Sequence, residues 1–141
     1  MKNWLAKIGI PLVIALVAVQ FVPVARTNPP ENGPLPALAE VHAVIQRGCY
    51  DCHSNETRWP WYSRVAPASW LIAHDVKEGR KEVNFSIWNQ YDQRRKDRKL
   101  KEIVKEVEKG KMPPWYYVPL HPDAKLSAAE RELIVTWAKQ P

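Results

Sequence analysis

At 141 residues the chain suits one domain, and 13 prolines and 7 tryptophans against only 5 glycines fit a compact body with many rigid loops. The formal charge of +6 falls to +4 from Arg26 onward, where 19 basic residues stand against 15 acidic ones, and so modest a balance does not argue for nucleic acid. Aliphatic residues are few beyond the first segment, so large flat side chains supply much of the apolar area.

Met1 to Lys7 holds two lysines, and Ile8 to Ala25 is then an uncharged run of eighteen residues interrupted by Gly9, Pro11, Gln20 and Pro23. This pattern, residues 1–26, is that of an export signal or a membrane anchor. Pro23-Val24-Ala25 puts proline where cleavage wants a small residue. The expectation is therefore an uncleaved transmembrane helix through residues 8–25, with cleavage and release as the alternative. Lysines on the short N-terminal side keep that end in the cytoplasm, which places everything after Arg26 on the far side of the membrane. A buried core helix is the poorer reading, because nothing else in the chain could cover it.

Residues 27–36 carry four prolines with Asn28, Glu31, Asn32 and Gly33, and read as an extended linker ahead of a domain at residues 37–141. Leu38, Val41 and Ile45 then share one helical face, with Gly48 at its end. His42 lies off that stripe and reads as a satisfied or solvated histidine.

The helix delivers the chain to Gly48-Cys49-Tyr50-Asp51-Cys52-His53, which contains the only two cysteines. Cys-x-x-Cys-His is the attachment pattern of c-type haem. Two thiols one helical turn apart can each add across a vinyl group of the porphyrin, and the adjoining imidazole can reach the iron. Cys49 and Cys52 are thus the candidate thioether residues and His53 the candidate proximal ligand. Three plainer readings compete. A thioredoxin-like pair wants a βαβ context that the sequence lacks. A structural zinc needs two more ligands, and only His42, His74 and His121 remain. A simple disulfide leaves His53 unexplained.

Ser54 to Arg64, with Trp59-Pro60-Trp61-Tyr62, reads as an aromatic loop folding over a haem edge. Pro67 is placed to open a helix carrying Trp70, Ala73 and Val76, stopped by Gly79. His74, on this helix, is a rival distal ligand. Phe85, Ile87, Trp88 and Tyr91 form a patch that fits a core, and Leu100, Ile103, Val104 and Val107 recur at helical spacing up to Gly110. On that helix Asp97 with Lys101, and Glu102 with Lys105, are spaced to pair. Arg94 to Lys111 holds nine basic and four acidic residues, read as a solvated face ahead of a docking patch.

Lys111-Met112-Pro113-Pro114 comes next. A thioether can bind haem iron as sixth ligand, and two prolines behind it stiffen the backbone that presents it. Met1 is the only other methionine, so Met112 is the candidate distal ligand and His121 a second rival. Ser127 with Glu130 makes a capping box before Leu133, Ile134 and Trp137, a final helix expected to pack across the one ending at Gly48.

In outline the chain resembles a monohaem class I cytochrome c. In detail, Cys49-Tyr50-Asp51-Cys52-His53-Ser54-Asn55, Trp59-Pro60-Trp61-Tyr62, Ala66-Pro67-Ala68-Ser69-Trp70, His74-Asp75-Val76, Gly79-Arg80 and Asn84-Phe85-Ser86-x-Trp88 resemble the bacterial haem-binding domain family of exported proteins. The resemblance covers nearly everything from Leu35 onward. It implies a periplasmic or membrane-anchored protein, and it supports Cys49, Cys52 and His53 as attachment and proximal groups and Met112 as the distal one. The expectation is an all-α, cytochrome c-like fold holding one covalent haem c and its iron. Such a protein carries single electrons between redox partners and is not an enzyme. The alternatives are a haem enzyme or gas sensor with a labile distal ligand, and a small haem subunit of a larger membrane complex.

Overall fold

The computed structural model describes residues 2–31, 33 and 35–140. Six α-helices run through it: α1 (Lys2–Ala18), α2 (Ala39–Gly48), α3 (Tyr50–His53), α4 (Ala68–Glu82), α5 (Gln93–Glu108) and α6 (Ala128–Lys139). Short 3-10 turns supplement them, and the described residues contain no strand. The expected all-α class is what is found. The chain divides into two compact units, residues 1–26 with 59–75, and residues 27–58 with 76–141.

In the first unit, α1 begins earlier and stops sooner than the apolar run from Ile8 to Ala25 implied. It gives way to a 3-10 turn at Val19–Phe21, and Val22 is extended (φ −69°, ψ 117°). Pro23 explains the end, because a proline ring disfavours helical geometry in the residue before it. No helix among the described residues is long and apolar enough to cross a membrane. Gln20 serves as a small clamp: its amide nitrogen donates to Leu16 O (3.0 Å) and Ala66 O (3.3 Å), while its oxygen accepts from Ala66 N–H (2.9 Å). Arg26 reaches Ser63 O at 3.1 Å, in the 3-10 turn Trp61–Arg64. Pro67 lies just before α4, and its carbonyl accepts from Trp70 N–H (3.1 Å).

The second unit is built on α2, α5 and α6. Val41, Val44 and Ile45 of α2 meet Ile134 of α6 and Val107 of α5 in one buried cluster, and α6 packs on both other helices. The expected crossing of the last helix over α2 is present. Ile45 and Ile134 are each 1% exposed, and burying such a side chain fully is worth about 1.5–3 kcal/mol. Phe85, Trp88 and Tyr91 fill the core as the sequence suggested, with Phe85 stacked on Tyr50 (centroids 5.8 Å apart) and Trp88 tilted against Trp137 (6.4 Å).

Local chemistry explains both ends of this frame. Ser127 Oγ accepts from Glu130 N–H (3.2 Å) and the Glu130 carboxylate accepts from Ser127 N–H (2.8 Å), the reciprocal capping box anticipated for α6. Gly110, at φ +65°, closes α5 with Gly110 N–H on Val107 O and Lys111 N–H on Glu106 O, both 3.0 Å. The salt bridges on α5 differ from those that spacing alone proposed. Lys99, almost buried, pairs with Glu102 (2.8 Å) and with Glu82 at the end of α4 (3.6 Å), while Asp97 accepts from Gln93 (2.7 Å).

The proline-rich stretch read as a linker is fastened along part of its length. Asn28 donates to Thr57 O (3.0 Å), Asn55 donates to Pro30 O (2.9 Å), and Leu35 is buried in the core. Asn32 and Pro34 lie outside the described residues.

Candidate functional site

Helix α2 ends at Gly48, and the chain turns at Cys49 (φ −128°) directly into the single turn α3. A side chain at Gly48 would meet Leu126 Cδ2 at 3.3 Å and Pro113 Cγ at 3.9 Å. Only Leu126 would be crowded, and Pro113, next to Met112, lies at ordinary contact distance from the start of the motif. Cys52 N–H and His53 N–H both donate to Cys49 O (3.2 and 2.9 Å), so the motif is one helical turn and its two cysteines share a face. Cys49 and Cys52 are half-buried thiols rather than a disulfide. Burial pushes the Cys49 thiol up to about 12, with Arg47 opposing the shift, so it stays protonated at neutral pH.

His53 is oriented by α4. Its Nδ1 lies 2.8 Å from Gly79 O and 3.2 Å from Val83 O. Two carbonyl oxygens can only accept, so Nδ1 carries the proton and donates to them. The opposite nitrogen, Nε2, is thereby left with its lone pair, the arrangement that metal-binding histidines use. Burial holds the imidazole below its usual range of protonation, and the two carbonyls oppose that shift only in part. The ring therefore stays neutral, as ligation requires.

The carbonyl contacts depend on Gly79. A Cβ on this residue would fall 2.5 Å from Cys52 O and 3.0 Å from Cys52 C. Gly79 was expected to stop the helix, yet α4 runs past it to Glu82. Its role is close approach of two backbones, not termination.

The next residue, Arg80, ties together the segments on either side of the motif. Its guanidinium donates to Ser54 O (2.7 Å), Thr57 Oγ1 (2.9 Å), Thr27 O (2.8 Å) and Asn28 Oδ1 (3.1 Å). Beside it Asn84 Nδ2 donates to Asn55 Oδ1 (2.8 Å), and Ser86 Oγ accepts from Asn55 N–H (2.9 Å). Asn55, Asn84 and Ser86 are buried and satisfied, as buried polar groups must be.

Asp51, between the two cysteines, is the most heavily bonded side chain of the turn. Its carboxylate accepts from Arg58 N–H (3.0 Å), Arg58 Nε (3.2 Å), Arg58 Nη2 (3.2 Å) and Tyr117 Oη (2.7 Å). Burial and the Asp51 carboxylate raise the Tyr117 phenol above its ordinary value of 10, so it remains a donor at any physiological pH. Tyr117 is stacked on His121, with centroids 3.9 Å apart and planes 10° apart.

Met112 sits just beyond the closure of α5, with its N–H 3.3 Å from Glu106 O, and is half-buried. Of the other histidines, His42 meets Tyr50 Oη at 3.2 Å, and His121 Nδ1 lies 3.1 Å from Tyr117 O. His74 is exposed on the part of α4 that belongs to the first unit. No group of three or more His, Cys, Asp or Glu side chains gathers among the described residues, so the zinc reading lacks a ligand set. Two thiols on one turn, with a neutral imidazole directed by backbone carbonyls, suit a haem.

The chain matches the family described as the haem-binding domain over residues 14–140. It belongs to that family. This haem-binding domain is also 31% identical, over 112 residues, to the cytochrome c peroxidase Ccp of Escherichia coli strain K12. The alignment covers 74% of the chain and 24% of that protein, so the chain spans about a quarter of the relative's length. No solved structure matches it significantly.

Sequence reasoning passed over Asp51, Arg58, Arg80 and Tyr117 in this haem-binding domain. Asp51 and Gly79-Arg80 lay inside the motifs that carried the family resemblance, which was the available signal. Tyr117 had none, because its bond to Asp51 spans 66 residues.

Proposed function

We propose that this haem-binding domain is an exported monohaem c-type cytochrome that carries single electrons between protein partners. Cys49 and Cys52 would hold the haem through their thiols, and His53 Nε2 and Met112 Sδ would ligate its iron. The haem supplies a one-electron iron couple, and the chain fixes its ligands, excludes water and sets its potential. The observation that carries the proposal is the hold of Gly79 O and Val83 O on His53 Nδ1, in the same helical turn as both thiols, which presents Nε2 as a fixed donor. With thioether and imidazole both bound, no position is open for a substrate, which favours transfer over bond-making chemistry.

Export is proposed from the composition of the N-terminal segment and from the cysteines, since haem is joined covalently outside the cytoplasm. Whether carrier or small subunit of a respiratory complex, the protein meets redox partners on the periplasmic side.

The relative named a peroxidase favours a second reading, in which the site has a labile distal ligand and takes part in peroxide chemistry. Mixing the haem-loaded wild-type protein with carbon monoxide, cyanide and hydrogen peroxide separates the two. The carrier is expected to form neither adduct promptly and to consume no peroxide. Rapid adducts together with turnover of peroxide would install the second reading instead.

A further inference from the structure

Asp51 is joined to two parts of the chain far from each other in sequence. Arg58 bonds both oxygens of its carboxylate, and Tyr117 Oη also donates to Oδ2 at 2.7 Å, a length typical of a charge-assisted hydrogen bond. Tyr117 lies five residues beyond Met112, at the end of a turn in which Tyr117 N–H donates to Pro114 O (3.0 Å). The segment from Met112 to Tyr117 is thus secured at both ends. Met112 N–H is bonded to Glu106 O, and Pro113 is buried near Gly48. At the far end the Tyr117 hydroxyl reaches the attachment turn, and its ring is kept flat against His121.

We propose that Asp51 and Tyr117 are positioning residues for the distal ligand: their hydrogen bond straps the loop that carries Met112 to the turn that carries Cys49, Cys52 and His53. This rests on Met112 as the distal ligand. Without the strap the loop keeps its proline stiffness and its α5 end but gains freedom at the other end, so the thioether leaves the iron more often and competing ligands enter. Asp51 is 9% exposed and already neutralised by Arg58, so it serves here as an acceptor and not as a source of field at the iron.

The test uses the full haem-loaded chain and imidazole and cyanide as probes of the ferric iron. Tyr117→Phe keeps the stacked ring and removes only the hydroxyl. It is expected to speed probe binding about 10- to 100-fold, the factor that corresponds to one hydrogen bond to a charged group, and to weaken the far-red thioether-to-iron absorption. Asp51→Asn carries the same test should Tyr117→Phe fail to fold. In a Met112→Ala background, where the thioether is gone, adding Tyr117→Phe is expected to change binding less than about twofold, a coupling that a general loss of packing would not produce. If Tyr117→Phe and Asp51→Asn bind the probes like the wild type while Met112→Ala binds them fast, the strap is refuted and Met112 remains the ligand. If Met112→Ala itself binds like the wild type, the reading of Met112 fails and the strap has nothing to position.

Discussion

Gly79→Ala is expected to lower stability by about 2–3 kcal/mol, the usual cost of forcing an extra methyl into a packed site, and the melting temperature by roughly 10 °C. A Cβ there would lie 2.5 Å from the Cys52 carbonyl oxygen, a distance that real Cβ atoms essentially never show. The neighbours it meets are backbone, so no flexible side chain can yield. Either α4 or the attachment turn must shift, and both directions lengthen the bond from His53 Nδ1 to Gly79 O. The loss should therefore exceed that of an ordinary Gly→Ala change inside a helix, where propensity alone would favour alanine. Urea or thermal unfolding followed by circular dichroism checks the stability, and the yield of haem-loaded protein checks the site. A variant as stable as the wild type would mean that α4 does not approach Cys52 so closely.

Replacing Met112 by alanine is expected to leave the fold largely intact and to change the iron sharply. The side chain is half-buried, while the frame around it is held by the closure of α5 and by Pro113, which the substitution leaves in place. Water would take the thioether's position, so carbon monoxide should bind the reduced protein and cyanide the oxidised one promptly. Axial ligands tune haem potentials over about 0.8 V, and loss of a thioether is expected to lower this one by on the order of 0.1 V. Potentiometric titration with optical detection checks the shift. Unchanged potential, spectra and ligand affinity would remove Met112 from the site.

The parts of the fold that were legible in the sequence are those whose cause is local. The capping box at Ser127 and Glu130 spans three residues, and the closure of α5 at Gly110 needs one left-handed position, so both could be read directly. Of the stripe Leu38, Val41 and Ile45, the period correctly announced Val41 and Ile45 as buried, whereas Leu38, at the N-cap of α2, is exposed and Val44 takes its place in the core. Gly79 shows the limit of such reading. Glycine at the end of a helical pattern ordinarily means a stop, and only the tertiary approach of Cys52 explains one in mid-helix. Residues 27–36 look like a linker because proline and asparagine favour extended chain. Bonds to Thr57, Asn55 and Arg80, which are remote in sequence, hold part of the stretch down. The strap from Tyr117 to Asp51 was invisible for the same reason.

The candidate site divides the same way. Cys49, Cys52 and His53 are recognisable because their spacing is the attachment pattern of c-type haem. The device that orients His53 is not, since it consists of backbone carbonyls that any sequence possesses. What selects those carbonyls is the missing Cβ of Gly79, a residue whose importance depends on a neighbour 27 positions away.

The central claim is that Cys49 and Cys52 bind one haem covalently. Intact-mass spectrometry of the full chain, expressed with the haem-attachment machinery and denatured before injection, tests it most directly. The account predicts a single species heavier than the polypeptide by one haem, with loss of that mass in Cys49→Ala/Cys52→Ala. A wild-type chain at the bare polypeptide mass, or a double variant that still carries the added haem, would contradict it.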